Sequence, residues 1–341
     1  MEREPDDVRL RRRRAALEAR ARILSAVRGW FERQGFLEVE TPARVRAPGQ
    51  EVHLDAISTG AASRRERDAR WLVTSPEYAM KRMCGAGFEK IVSVGKCWRA
   101  EEAGPHHQSE FTMIEWYRAH APLTRIADDC EELARIARDA VVATWKGGAP
   151  SVEGGGPRVG FVRTTVRELF RQHAGTALAG DESPEDLRRI ARACDVNTGN
   201  AEAWDDIFFQ IWLDRIEPVL ATAANPTFVF DWPTPLAALA RRHSADPRIA
   251  ERFELYAGGL ELVNAFGELI DSSEQRARFM SESVARGAAG KVTYPIDEAL
   301  LAALDRMPPT SGSAMGFDRF AMWILGLPEI RDVMAFADDE V

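Results

Sequence analysis

Residues 99–117, RAEEAGPHHQSEFTMIEWY, together with residues 312–319, GSAMGFDR, decide how this chain of 341 residues is read. The end of the first stretch, Phe111-Thr-Met-Ile-Glu-Trp-Tyr117, predicts a strand, and alternate side chains of a strand share a face. Phe111, Met113, Glu115 and Tyr117 then point one way, with Phe111 roughly 13 Å from Glu115 at about 3.3 Å per residue. An aromatic ring at one end of that face could stack a planar base, and a carboxylate at the other could receive a cation. A half-buried structural strand would show the same alternation, so the upstream residues carry the decision. Arg99 precedes a charged, hairpin-like loop holding Glu101, Glu102, His106 and His107. A guanidinium in that place suits a phosphate, whose oxygens its planar fork matches.

Outward from these stretches the chain reads as α+β. Leu17, Ala21, Leu24, Val27 and Phe31 recur at helical spacing up to Gly35. In GFLEVETPARV, Pro42 suits an edge or interface strand, because it has no N–H for a ladder. Strands are predicted at 71–74, 90–98 and 111–117, with helices at 76–84 and 122–145. A Gly-rich surface connection follows at 147–160, and 162–223 reads as helical, an insertion around 161–223. Strands return at 227–231 and 253–270, where Gly258-Gly259 makes a two-residue hairpin turn. Helices at 273–286 and 296–304 lead to a last strand and helix at 312–325. Hairpin-joined strands with helices inserted favour an antiparallel sheet flanked by helices over a doubly wound parallel one.

Composition narrows the class. A hydrophobic content of 45% suits a large globular core. The start, MEREPDDVRLRRRR, is too charged for a signal peptide, and no apolar run could cross a bilayer, so a cytoplasmic location is expected. Cys84, Cys97, Cys130 and Cys194 are scattered without a C-x-x-C pair and read as reduced thiols in or near the core. A net charge of −8 argues against general affinity for polyanions. Two basic runs stand out, Arg9 with Arg11 to Arg14, and Arg64, Arg65, Arg67 and Arg70; each reads as a solvated face or as a docking patch for an acidic macromolecule.

The loop and strand from Arg99-Ala-Glu-Glu through His107-Gln-Ser-Glu-Phe111 resemble motif 2 of the class II aminoacyl-tRNA synthetases. Residues 312–319 resemble their motif 3, and residues 35–42 resemble motif 1, a dimer-interface element ending in proline. Thr74-Ser-Pro-Glu77, Glu115-Trp-Tyr117, and FELYAGGLE at 253–261 through Asn264-Ala-Phe-Gly-Glu268 are similar to the lysyl-tRNA synthetases. The likeness spans nearly the whole chain and implies a single catalytic domain over 1–341. Motif 1 arrives too early for an anticodon-binding OB-fold of roughly a hundred residues, so none is expected. A core of this kind resembles the family of elongation factor P–(R)-β-lysine ligases, paralogues of lysyl-tRNA synthetase that modify a lysine of an acidic, tRNA-shaped translation factor.

That resemblance implies ATP and (R)-β-lysine or lysine as substrates, Mg²⁺, elongation factor P as acceptor and a homodimer. It places Arg99 on the α-phosphate and Glu101 and His107 around ATP. Phe111 and Arg319 would sandwich the adenine, with Arg319 also reaching the γ-phosphate. Glu254 and Glu261 match the Mg²⁺ carboxylates. Ser75, Glu77, Glu115, Tyr117, Asn264 and Glu268 match substrate contacts, and Ala314 stands where the lysyl-tRNA synthetases have glycine, which favours an amine shifted by one carbon. With Gly258-Gly259 as the turn, Tyr256 faces Glu261, so Glu254 and Glu261 share a face; a bulge between Glu261 and Asn264 is then needed to bring Asn264, Phe266 and Glu268 onto it.

The chain departs from the pattern at Ala100, where asparagine is usual, and at Gln108-Ser109, which replaces Asn-Pro and so keeps polarity without the proline's rigidity. No Ser-His-Asp or Cys-His set is present, and no general base for the acceptor amine is evident. Two other readings stay open: a lysyl-tRNA synthetase-like enzyme that charges tRNA or another amine, and a non-catalytic paralogue acting by binding.

Overall fold

The strand predicted at 111–117 is longer, Glu110–Ala119, and lies inside an eight-stranded sheet of the computed structural model, which describes residues 5–60, 69–145 and 160–341. Arg64, Arg65, Arg67 and the connection at 147–159 lie outside those residues. In chain order the strands are β1 (Leu37–Glu38), β2 (Arg44–Val45), β3 (Ser58–Thr59), β4 (Arg70–Leu72), β5 (Lys90–Trp98), β6 (Glu110–Ala119), β7 (Val162–Thr165), β8 (Thr227–Pro233), β9 (Ile249–Ala257), β10 (Leu260–Gly267) and β11 (Thr310–Gly316). The main sheet runs β1-β5-β6-β11-β10-β9-β8-β7, and β2-β4-β3 form a small second one. The pairs from β5 to β8 are antiparallel, while β1 and β7 add parallel edges. The architecture is thus α+β with a mixed sheet, antiparallel through its centre.

Helices α1 (Asp6–Arg33), α2 (Glu77–Cys84) and α3 (Leu123–Asp139) are followed by α4 (Val166–His173), α5 (Pro184–Ala193), α6 (Trp204–Ile211) and α7 (Glu217–Ala221). A π-helical turn, Trp212–Ile216, joins α6 to α7. Then come α8 (Ser272–Ala288), α9 (Glu298–Leu304) and α10 (Phe317–Leu325). Their starts follow from short polar residues: Ser183 and Asp186 form a reciprocal capping box at α5, and Asp271 accepts from the Ser273 and Glu274 N–H groups at α8.

Period-two alternation along β6 builds both sides of the sheet. Ile114 and Trp116, fully buried, join a core with Ile23, Val27 and Phe31 of α1, Ile126 and Leu133 of α3, and Phe317 and Phe320 of α10. Trp116 meets Phe31 at 5.6 Å between ring centroids, and truncating it to alanine should cost about 3–5 kcal/mol. Phe111, Met113, Glu115 and Tyr117 take the opposite face, toward the site. Helices α4 to α7 have their own aromatic core, in which Trp212 of the π-helical turn meets Trp232 of β8 at 4.8 Å.

Three expectations are corrected. The stretch 162–223 is not wholly helical: Val162–Thr165, rich in β-branched residues, pairs in parallel with β8 before α4 begins. The helix expected to reach residue 145 ends at Asp139, and turns continue to Thr144. The stretch around Pro42 is not one strand: Leu37–Glu38 forms the sheet's edge, parallel to β5 as an edge strand was expected, and beyond the proline Arg44–Val45 pairs with β4 in the small sheet. The basic start of α1 is also only partly solvated, because Arg9 and Arg13 are buried, 7% and 3% exposed, and pair with Glu340. Cys84, Cys97 and Cys130 are buried and all four cysteines are free, as expected.

Candidate active site

The cavity-facing side of β6, β11, β10 and β9 carries a cavity of about 560 Å³, the size of a small-molecule site. Register fixes its floor. Ala314 of β11 lies directly between Glu115 of β6 and Asn264 of β10, and Gly312 lies between Tyr117 and Phe266. A Cβ on Gly312 would stand 2.4 Å from the Tyr117 ring and 2.6 Å from the Glu268 carboxylate, so this crossing requires glycine. Gly258 and Gly259 take φ of +60° and +79°, the left-handed pair that a two-residue turn demands. The expected bulge is present: the β9–β10 register shifts between Glu261 and Val263, which brings Asn264 opposite Glu254.

At one pole the Arg99 guanidinium lies over the Phe111 ring, 5.1 Å from its centroid, and approaches Glu102 at 3.5 Å. Arg319, at the start of α10, donates from Nε to the His106 carbonyl at 3.0 Å and from Nη1 to the Glu261 carbonyl at 3.2 Å. It thereby ties the β5–β6 loop to the hairpin. Its neighbour Asp318, buried, accepts from the Thr112 N–H at 2.7 Å and from Arg20 at 2.6 Å, which locks α10 onto β6. The His107 imidazole, at the rim, is held below its ordinary value by desolvation and then by Arg319, so it is neutral near pH 7.

The other pole is rich in carboxylates. Ser75 donates to Glu115 at 2.6 Å and also accepts from the Glu77 N–H at 3.1 Å, while the Tyr117 hydroxyl donates to the second Glu115 oxygen at 2.6 Å. Lys81, one helical turn after Glu77 on α2, reaches Glu77 at 2.5 Å and Glu268 at 2.6 Å. Burial pushes Glu115 up to about 8, with Glu77 adding to it. Burial also pushes Glu268 up to about 7 against the pull of Lys81. Glu51 lines the same end, raised by burial and by Glu77, and its Oε2 has no hydrogen-bond partner. Four carboxylates against one buried lysine leave this pole short of positive charge, which an incoming diamine would supply.

Between the poles, Glu254 and Glu261 both line the cavity. Burial and the nearby Glu261 push Glu254 up to about 8; Arg252 and the Tyr256 hydroxyl donate to its two oxygens. Arg252 also donates to the Asn264 side-chain oxygen at 3.1 Å and stacks on Trp232 at 4.5 Å.

Most of the residues singled out from sequence therefore converge. Arg99, His107, Phe111, Arg319, Ser75, Glu77, Asn264, Ala314, Glu254 and Glu261 line one cavity, and Glu115, Tyr117 and Glu268 lie immediately behind its wall, each at most 2% exposed. Glu101 does not join them. Its left-handed φ of 62° turns the loop so that Glu101 is exposed and Glu102 faces the cavity instead. Sequence reasoning missed Lys81, Arg252 and Glu51. Lys81 was readable from its spacing after Glu77, and Arg252 from its alternation with Glu254; nothing local marked Glu51.

Residues 4–340 match the family model for tRNA synthetases class II (D, K and N). The chain is 37% identical over 328 residues, 95% of each chain, to the elongation factor P–(R)-β-lysine ligase of Photorhabdus laumondii subsp. laumondii. It is 35% identical over 331 residues to the protein of that name from Edwardsiella ictaluri, and 37% identical over 330 residues to the one from Proteus mirabilis, covering 95% and 94% of each chain. With a cavity that pairs guanidinium groups and an aromatic ring at one end with buried carboxylates at the other, and with residues 4–340 matched, the chain belongs to the class II tRNA synthetase family of the D, K and N type.

Proposed function

We propose that this chain activates (R)-β-lysine with ATP and transfers it to a lysine side chain of elongation factor P. The observation that carries the reading is the two-pole cavity with Ala314 in its floor between Glu115 and Asn264. The substrate carboxylate attacks the α-phosphorus of ATP, a phosphorus–oxygen bond forms, and pyrophosphate leaves. The acceptor lysine amine then attacks the carbonyl of the mixed anhydride, an amide forms, AMP leaves, and the amine gives up its proton. Arg99 and Arg319 face the phosphates and Phe111 stacks the adenine, so positioning and electrostatics supply most of the acceleration. Glu77, Glu115 and Glu268 hold the two ammonium groups, with Ser75, Tyr117 and Asn264 orienting them. The Ala314 methyl favours an amine one carbon from the α position.

Glu254 and Glu261 fit a Mg²⁺ ion: they are two hard oxygen donors on one wall, and the Glu254 carboxyl is raised by its burial and by the neighbouring Glu261 even with Arg252 beside it. Among the described residues no three such side chains converge, so phosphate oxygens and water would complete the shell. When bound, the ion would offset charge on the leaving pyrophosphate. We place the protein in the cytoplasm as a homodimer joined through the segment around Pro42; among the described residues no helix is long and apolar enough to cross a membrane.

The test is ATP–pyrophosphate exchange with (R)-β-lysine and L-lysine, followed by mass spectrometry of elongation factor P incubated with enzyme, ATP and each isomer. (R)-β-lysine should be preferred, and Ala314→Gly should shift preference toward L-lysine. Preference for L-lysine in the unaltered enzyme, or modification of tRNA instead of the protein acceptor, would reject the reading.

A further inference from the structure

The two departures at Gln108 and Ser109 are answered by residues at the far end of the chain. Ser109 offers an N–H and a hydroxyl, two donors that a proline at this position would lack. Both go to one carboxylate: the Ser109 N–H donates to Asp338 Oδ2 at 2.9 Å, and the Ser109 hydroxyl donates to the same oxygen. In return the Asp338 N–H donates to the Gln108 side-chain oxygen at 2.8 Å, while Gln108 Nε2 donates to the His107 carbonyl at 2.9 Å. Gln108 is buried at 5% exposure, so its amide is committed to this contact. The Ser109 carbonyl accepts from the Arg99 N–H at 2.9 Å, so the same residue closes the neck of the loop. A second tie, from the Ile330 N–H to the Pro105 carbonyl at 2.7 Å, holds the loop nearer its tip.

The 3₁₀ turn that carries Asp338, Asp338–Glu340, is itself anchored. Glu340 receives both Nη atoms of the buried Arg13 at 2.7 and 2.8 Å, and its Oε2 accepts from the Ala337 N–H at 2.8 Å. These Arg13 bonds hold the Glu340 carboxyl down to about 2, so the anchor remains charged across the working pH range. Charge-assisted bonds thus fix this turn at both ends, to α1 through Glu340 and to the β5–β6 loop through Asp338, and that loop bears the His106 carbonyl that accepts from Arg319.

We propose that the turn Asp338–Glu340 clasps the β5–β6 loop in its nucleotide-binding shape, doing through Asp338 what a proline at position 109 would otherwise do by rigidity. Asp338 and Glu340 are positioning residues: neither lines the cavity, and they act through Ser109, Gln108 and the backbone between Arg99 and His107. The inference rests on the reading of that loop as the ATP side of the cavity.

The test pairs steady-state kinetics with amide hydrogen exchange on the full chain. Asp338→Ala should raise the KM for ATP about tenfold, the factor that about 1.4 kcal/mol represents, with kcat and the KM for (R)-β-lysine little changed. Asp338→Asn, which keeps an acceptor oxygen, should recover most of the loss. Exchange across residues 99–110 should quicken in Asp338→Ala while the β9–β10 hairpin keeps its rate. An ATP KM within twofold of the unaltered enzyme and unchanged loop exchange would overturn the clasp. Faster exchange throughout the molecule with kcat and both KM values falling or rising together would also overturn it, as the mark of a merely structural contact. Should Asp338→Ala fail to fold, Glu340→Gln loosens the same turn and is read in the same two ways. An absence of pyrophosphate exchange in the unaltered protein would reject the proposed function, and loop exchange would still decide the clasp.

Discussion

On the proposed reading, raising the pH from 7 to 8.5 should tighten the binding of a diamino acid, because the carboxylates that would receive its ammonium groups hold protons in the free site near pH 7. Glu115 is pushed up to about 8 and Glu268 up to about 7, chiefly by burial. Ionising both before binding costs a factor of about 22 at pH 7 and about 1.4 at pH 8.5, so affinity should rise about fifteenfold across that interval. Above it the substrate amines begin to lose their own protons and the gain stops. Isothermal titration in buffers of different ionisation enthalpy measures both quantities at once: affinity, and close to one or more protons released per site at pH 7. Glu115→Gln should remove the steeper part of the dependence.

The same shifts set the sign for stability. Both groups lie above their ordinary value of 4.5, so the folded protein holds protons that the unfolded chain would release. Their contribution is full below about 4.5 and is lost as pH rises through about 7 and 8. The increase in Tm on adding (R)-β-lysine should therefore grow with pH over that range. Affinity that stays flat from pH 7 to 8.5, with no proton release, would refute the reasoning.

Two further outcomes follow from the same pole. Lys81→Met removes the one cation between Glu77 and Glu268 and should cost about 3–5 kcal/mol. That corresponds to a fall in Tm of about 4–7 °C for a chain of this length, and scanning fluorimetry would read it; a Glu268→Gln partner change should return part of the loss. Glu51→Gln should raise the KM for the diamino acid about tenfold, the size of one charge-assisted contact, and leave the KM for ATP unchanged in pyrophosphate exchange.

Much of this site was legible because its residues lie on strands, where a period of two tells which side chains share a face. Period two put Phe111, Glu115 and Tyr117 on one face, the loop upstream made that face a site, and the hairpin register around Gly258-Gly259, taken with the resemblance of Asn264 and Glu268 to substrate contacts, called for the bulge. Loops gave less. The placement of Glu101 against Glu102 depends on a single left-handed backbone angle, which no spacing encodes. Glu51 is brought to the pocket by a segment without regular structure, so neither periodicity nor charge pattern marks it. The buried role of Arg9 and Arg13 was hidden for another reason: their partner, Glu340, is separated from them by nearly the whole chain, and a run of arginines at the start of a helix otherwise looks solvated. The short strand at 162–165 was hidden by the helical residues on its far side.

One extra residue at Leu262 lets a single hairpin present Glu261, Asn264 and Phe266 toward one hollow, where the proposed reading puts phosphates against the first and the amino acid against the other two. The two ligands are therefore coupled through a parity, not through a contact. Deleting any one residue between Glu261 and Asn264 would turn half the hairpin inside out and expel one ligand's contacts while leaving the other's intact. Such a deletion is tolerated only alongside a second change of odd length, so related proteins should vary in length elsewhere and hold this interval fixed.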